Sequence, residues 1–201
     1  YQDRLYVALQ RIDRDNFWTP TDKSLLVVID TNTDNIINTI TLCGKNPITD
    51  LYWDENFNRI LVGDVSHYYE LNDDAGIEAV DPTTGECKFL ITEKELEGEI
   101  SDFAIANQSQ GYATITTTDW QSWLVRFNPQ TGTKQDAPVY KSGEGFVLWT
   151  IALNDRGELY VCDRTATQPG IVIIDTTNED KLLTEKPIDL GLPPFDLTFL
   201  K

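Results

Sequence analysis

Asp50, Asp102, Thr150 and Asp196, three of them aspartates, stand at equivalent places, each at the head of a segment that reads as a strand. Carboxylates gathered around one axis would offer oxygen ligands to a hard cation such as Ca²⁺, and a cation held there could polarise a carbonyl and activate water. The simpler role is local: an aspartate beside a turn accepts backbone N–H groups and caps it. A second set of residues suits contact rather than catalysis. Arg11, Phe17, Trp18, His67, Tyr68, Tyr69, Trp120 and Arg164 fall in connections between strand-like runs. Rings and fixed charges there serve ligand binding, unless the rings fold back to fill gaps beneath their own loops. His67 is the single histidine, which argues against a His-based zinc site or a His-dependent triad. No catalytic residue is assigned, and no cofactor apart from Ca²⁺ at the three aspartates.

The elements that position these residues repeat. Leu25–Asp30, Gly76–Val80 with Asp81, and the stretches 123–128 and 170–175 each run from an aliphatic strand into an acidic or amide turn. Their turn residues Asp30, Asp81, Asn128 and Asp175 recur about every 50 residues, a period in the range of propeller blades. Each unit divides into four strand-like runs, as a four-stranded antiparallel blade requires. In the second unit these are 50–53, 59–63, 77–80 and 87–91. In the third and fourth, first strands at 102–105 and 150–153 lead to second strands at 111–115 and 158–161. One short helix is expected, at 93–97.

The units span about 1–47, 48–99, 100–146 and 147–194, and a closing strand at 195–201 matches a first strand. The first unit opens at Leu5-Tyr6-Val7-Ala8, which matches a second strand. The closing strand could therefore complete the first blade and seal a four-bladed ring, or the chain could be the last part of a larger ring. Strand reversal places the loops between second and third strands on one face and leaves short Asp/Asn/Gly/Thr turns on the other, so the loop-rich face is the expected binding surface.

Leu5-Tyr6-Val7, Val28-Ile29-Asp30-Thr31, Ile36-Ile37-Asn38-Thr39-Ile40, Asn46-Pro47, Leu159-Tyr160-Val161 and Ile173-Ile174-Asp175-Thr176 resemble the YVTN-type, YncE-like β-propeller repeat of bacterial and archaeal secreted and surface-layer proteins. The resemblance covers the whole chain and is weaker in the third unit. It implies an all-β propeller domain of which this chain is the C-terminal part, about four of seven blades, with the N-terminal blades as its partner. It also implies a secreted, periplasmic or cell-surface location, a lipoprotein among the forms. Such propellers include lactonase-like enzymes and pure binding or scaffold proteins, so the fold names no activity. The reading favoured is a non-catalytic binder of a protein or small ligand. A lactonase-like or metal-dependent hydrolase and a structural subunit of an extracellular assembly are the alternatives.

Composition narrows the partners. Sixteen Lys and Arg against 33 Asp and Glu give a net charge of −17, which repels phosphate backbones and excludes nucleic acid as a first expectation. The longest aliphatic run, Leu25 to Ile29, is far short of the ~18 apolar residues of a spanning helix. The absence of Met reads as a processed or partial chain. Cys43, Cys87 and Cys162 form no C-x-x-C pair and read as small strand residues, with one bridge and a leftover thiol left open.

Overall fold

The structure is a computed structural model describing residues 3–55 and 57–199. It is all-β, built of antiparallel sheets, and its contacts separate two compact units, Tyr1–Lys94 and Glu95–Lys201, within what the sequence reads as one domain. Among the described residues no helix is long and apolar enough to cross a membrane.

In the first unit β1 (Arg4–Leu9) leads through a small hairpin of β2 (Ile12–Asp13) and β3 (Thr19–Pro20) to β4 (Leu25–Asp30) and β5 (Asn35–Thr41). The order β1-β4-β5 makes a three-stranded sheet. The second sheet runs in sequence order, β6 (Tyr52–Asp54), β7 (Arg59–Asp64), β8 (Gly76–Val80) and β9 (Cys87–Thr92). Leu26, Val28, Ile40 and Leu42 pack against Ile60, Val62 and Val80, each contributing about 1.5–3 kcal/mol of burial. The unit boundary falls inside the short helix α1 (Glu93–Leu96), which forms where the sequence expects it.

The second unit holds a five-stranded sheet of β10 (Gly98–Asn107), β11 (Gln110–Thr117), β12 (Gln121–Asn128), β13 (Thr133–Lys134) and β14 (Tyr140–Glu144), the last two both pairing with β12. A four-stranded sheet follows, β15 (Leu148–Leu153), β16 (Glu158–Asp163), β17 (Gly170–Asp175) and β18 (Lys181–Leu182). Tyr112 and Leu124 of the one and Leu148, Leu159, Val161, Val172 and Ile174 of the other share a core.

The repeated turn has a single mechanism. Asp30 Oδ1 accepts the backbone N–H of Asn32 (2.8 Å) and Thr33 (3.2 Å), Asp81 Oδ1 those of Thr83 and Thr84, and Asn128 Oδ1 those of Gln130 and Thr131. Asp175 Oδ1 accepts the N–H and hydroxyl of Thr177. These are Asx turns, in which a short side chain satisfies the donors a reversing backbone leaves bare. The bonds hold the Asp81 carboxyl, chiefly through Thr83, and the Asp175 carboxyl, chiefly through Thr177, below the usual range.

One expectation needs correction. The closing strand is not formed: 193–199 carries no ladder, and residues 200 and 201 lie outside the described residues. Instead Thr150 donates its hydroxyl to Phe195 O (3.0 Å), the Phe195 ring lies 5.8 Å from that of Trp149, and Phe199 meets Tyr160 edge-on. Pro193 and Pro194 cannot donate to a ladder, and the N–H of Leu197 is bound by Asp196 Oδ1. Among the described residues the first sheet has three strands, with β1 and β5 as its edges.

The cysteines take the alternative that the sequence left open. Cys43 and Cys87 form a disulfide, joining the segment after β5 to the start of β9, while Cys162 is a buried free thiol. Burial, with Asp196 and Asp102 nearby, pushes that thiol up to about 11, far from a nucleophile's range. Because the bridge closes a loop with a sequence separation of 44, reduction should lower the unfolding free energy of the first unit by about 2–4 kcal/mol. Urea titrations with and without a phosphine reductant check this, and coincident curves would refute it.

Candidate functional site

In the first unit the loops at 10–24, 42–51 and 65–75 leave the same strand ends, and one buried asparagine ties their stems together. Asn46 Oδ1 accepts from Gln10 Nε2 (2.7 Å), its Nδ2 donates to Ser66 O (3.3 Å), and its own N–H donates to Ser24 Oγ (3.0 Å). Gln10 also reaches Pro47 O, and Ser66 N–H donates to Lys45 O. Asn46 has φ of 57°, a left-handed conformation that asparagine tolerates better than most residues. The hairpin bearing Phe17 and Trp18 and the loop bearing His67, Tyr68 and Tyr69 are therefore anchored to one side chain.

The rings above this anchor face solvent. Phe17 is 95% exposed and Tyr69 74%, with Trp18 and Tyr68 also exposed and His67 half-buried. Phe17, Trp18 and Tyr69 have φ of 51°, 59° and 68°, a region that costs a bulky side chain about 1–2 kcal/mol. The Tyr68 and Tyr69 rings stand 6.3 Å apart at 50°, and the Arg14 guanidinium lies 5.3 Å from the centre of the Trp18 ring. Arg11 is employed structurally: it pairs with Asp22 at 2.8 Å across the base of the hairpin.

This end is acidic. Asp13, Asp15, Asp22, Asp50, Glu70, Asp73 and Asp74 stand against Arg11, Arg14, Lys23 and Lys45. Lys45 pairs with Asp74 (2.8 Å), and Lys94 reaches Asp73 (3.2 Å).

Beneath the loops lies a pair of acids that sequence reasoning did not single out. Asp64 and Glu78 are fully buried, and Glu78 Oε2 accepts the Cys43 N–H at 2.7 Å. Among the described residues neither Asp64 oxygen meets a hydrogen-bond donor, and the Glu78 carboxyl lies close enough for the two acids to interact. Burial first, then the Glu78 charge, raises Asp64 well above the carboxylate range. Burial also raises Glu78, against the opposing pull of Asp64 and the Cys43 and Gly44 N–H groups. A Cβ at Gly44 would stand 2.6 Å from Asp64 Oδ2, so glycine is what lets the backbone close over the acid. The available signal was Glu78 itself, an acid inside the otherwise apolar Gly76–Val80 strand. Its carboxylate lies within 4.8 Å of the Cys43 and Cys87 sulphurs, but these are consumed in the disulfide and are not thiolate ligands.

In the second unit Trp120 departs from Phe17 and Tyr69. Its φ is 63°, but its ring packs edge-on to Phe146 at 5.3 Å and sits against Gly145, leaving 43% exposure, so it partly plugs its own hairpin. Arg164 is also engaged, its guanidinium lying 5.6 Å from the Trp149 ring and 5.2 Å from that of Phe195. Asp102 acts as a cap: Oδ1 accepts the Phe103 N–H (2.8 Å) and Oδ2 the Ile151 N–H (2.9 Å). Asp196 caps Leu197, and Asp50 is an exposed residue in the first unit.

The turn end of the second unit, expected to carry only short turns, holds an open cleft of about 820 Å³. Asn107, Gln110, Arg126, Asn154, Arg156 and Glu179 line it. Most of its polar side chains are already bonded within the turns. Asn154 Oδ1 caps Arg156 and Glu158, Arg126 pairs with Asp180, and Gln110 bonds Thr176 O and the buried Tyr112 hydroxyl, which donates to Asp180.

Neither a family model nor a curated protein matches the chain. Among solved structures it is similar to one described as a dipeptidyl aminopeptidase IV from Bacteroides ovatus, at 10% identity and a TM-score of 0.42, covering 80% of this chain. The chain spans 35% of that structure.

The buried acids make a stability prediction with a definite sign. A carboxyl raised in the folded state is more stabilising below the unfolded value near 4 and loses that contribution as pH climbs through the folded value. Asp64→Asn does not titrate, so its stability relative to the parent should rise between pH 4.5 and pH 8. Urea melts at both pH values measure the gap, and a pH-independent gap would refute the assignment.

Proposed function

We propose that this chain is a binding module, a set of YVTN-type β-propeller blades whose loop end in the first unit engages a partner without catalysing a reaction on it. One observation carries this reading: Phe17, Trp18 and Tyr69 are exposed on backbone that strains against them. A ring that filled a gap would repay its strain by burial, whereas these leave their apolar surface in water and their backbone in a costly region. Contact with a partner offsets both costs, and the Asn46 anchor limits the loop ordering that binding would otherwise require. The four Asx turns at matching strand ends support the blade reading. The Cys43–Cys87 bridge supports a secreted, periplasmic or surface location, because disulfides persist in oxidising compartments.

Panning a random peptide library against the native protein, and against a variant with Phe17, Trp18, Tyr68 and Tyr69 all changed to Ser, tests the reading. Peptides enriched on the native protein should lose binding to the variant, and equal binding to both would overturn it. In addition, Phe17→Gly and Tyr69→Gly should leave stability unchanged or raise it by up to about 1 kcal/mol, since glycine enters the left-handed region freely. Thermal melts check this, and a marked loss would mean that the rings are structural.

A further inference from the structure

We propose that the partner at the loop end of the first unit is a basic polypeptide segment, whose Lys and Arg side chains are held on the exposed aromatic faces and by the surrounding carboxylates. The proposal rests on the reading of this end as a binding surface and adds the chemistry of what it binds.

Three observations converge on a cation. The exposed groups are π faces, which attract ammonium and guanidinium ions through the ring quadrupole. The chain already uses that chemistry at this end, where Arg14 lies over Trp18, and in its second sheet, where Arg59 lies 4.5 Å from the centre of the Phe57 ring. Charge supplies the selection. The basic side chains of the end are largely committed, Arg11 to Asp22, Lys45 to Asp74 and Arg14 to a ring, whereas Asp15 and Glu70 enter no ion pair among the described residues. With a net charge of −17 on the whole chain, an approaching polycation is attracted and an acidic segment repelled.

Openness selects a polypeptide over a small cation. Phe17 is 95% exposed and Tyr69 74%, so the rings project from convex loops and do not wall a cage around one ammonium group. A surface of separate contact points gains affinity by engaging several side chains of one chain at once.

Binding of fluorescent octa-lysine and octa-arginine to the native protein at physiological salt tests this, with octa-glutamate and a Gly/Ser octamer as controls. The decisive variants preserve net charge. Tyr68→Ala with Tyr69→Ala should weaken octa-arginine binding by about 5- to 30-fold, the yield of two exposed cation–π contacts. Tyr68→Phe with Tyr69→Phe should bind like the native protein. Circular dichroism melts confirm that these solvent-facing changes leave the fold intact. Should the cationic peptides bind the Ala variant as tightly as the native protein, attraction is to bulk charge alone and the proposal falls. Should the neutral octamer bind as well as octa-arginine and be sensitive to the rings, the cationic assignment falls while the binding surface stands. Absence of binding by either cationic peptide overturns the proposal and leaves the surface to the library experiment.

Discussion

Every reversal in an antiparallel chain leaves backbone donors that must be satisfied within two or three residues, and here that constraint is met by one device. An Asp or Asn at the end of an aliphatic strand turns its side-chain oxygen onto the N–H groups ahead of it, at Asp30, Asp81, Asn128 and Asp175. The device needs no large side chain and no partner from elsewhere in the fold. It therefore recurs at these four returns, and the turns it closes stay short. Tight closure at one end of the strands leaves the opposite connections free to lengthen and to carry rings and charges.

The loop end of the first unit is organised from within. Asn46 is buried and serves as donor and acceptor at once, so the hairpin after β1 and the loop after β7 share a foundation that neither makes alone. Directly below, Asp64 and Glu78 occupy positions that apolar residues would fill at less cost. The Cys43 N–H donated to Glu78 compensates in part. Buried polar groups and backbone strain are thus concentrated at the loop end of the unit, while Leu26, Val28, Ile40 and Val62 carry the stability.

Much of this was legible in the residues. The aliphatic strand followed by Asp or Asn located all four turns, and the runs at 59–63, 77–80, 87–91, 111–115 and 158–161 lie within observed strands. The loop aromatics could be named from the sequence as a set but not sorted. Phe17 and Trp120 share a residue class and a left-handed backbone, and only the neighbours decide that one is bare and the other leans on Phe146. The disulfide was illegible because pairing across a separation of 44 depends on two strand ends meeting in space. Asp64 was hidden for a related reason: an acid at the end of a strand ordinarily faces water, and its burial follows from the segment around Gly44 lying over it. The stretch 195–199 matches a first strand in pattern, but the prolines before it and the Asp196 side chain remove or take up ladder donors locally.

The outer edge of the first sheet carries a liability. β5 reads Asn-Ile-Ile-Asn-Thr-Ile-Thr, seven residues with no charge, proline or glycine, and it exposes Ile36 and Ile37 beside an unpaired row of backbone groups. This is the composition of a steric zipper, in which identical segments stack in register and dry apolar faces interlock. The gatekeeping charges that usually blunt such an edge are absent from the strand itself. What restrains β5 is its ladder to β4 and the bridge at Cys43, two residues beyond its end. A covalent link that steadies the fold thereby also governs solubility, and a chain made without it would expose a template for fibril growth.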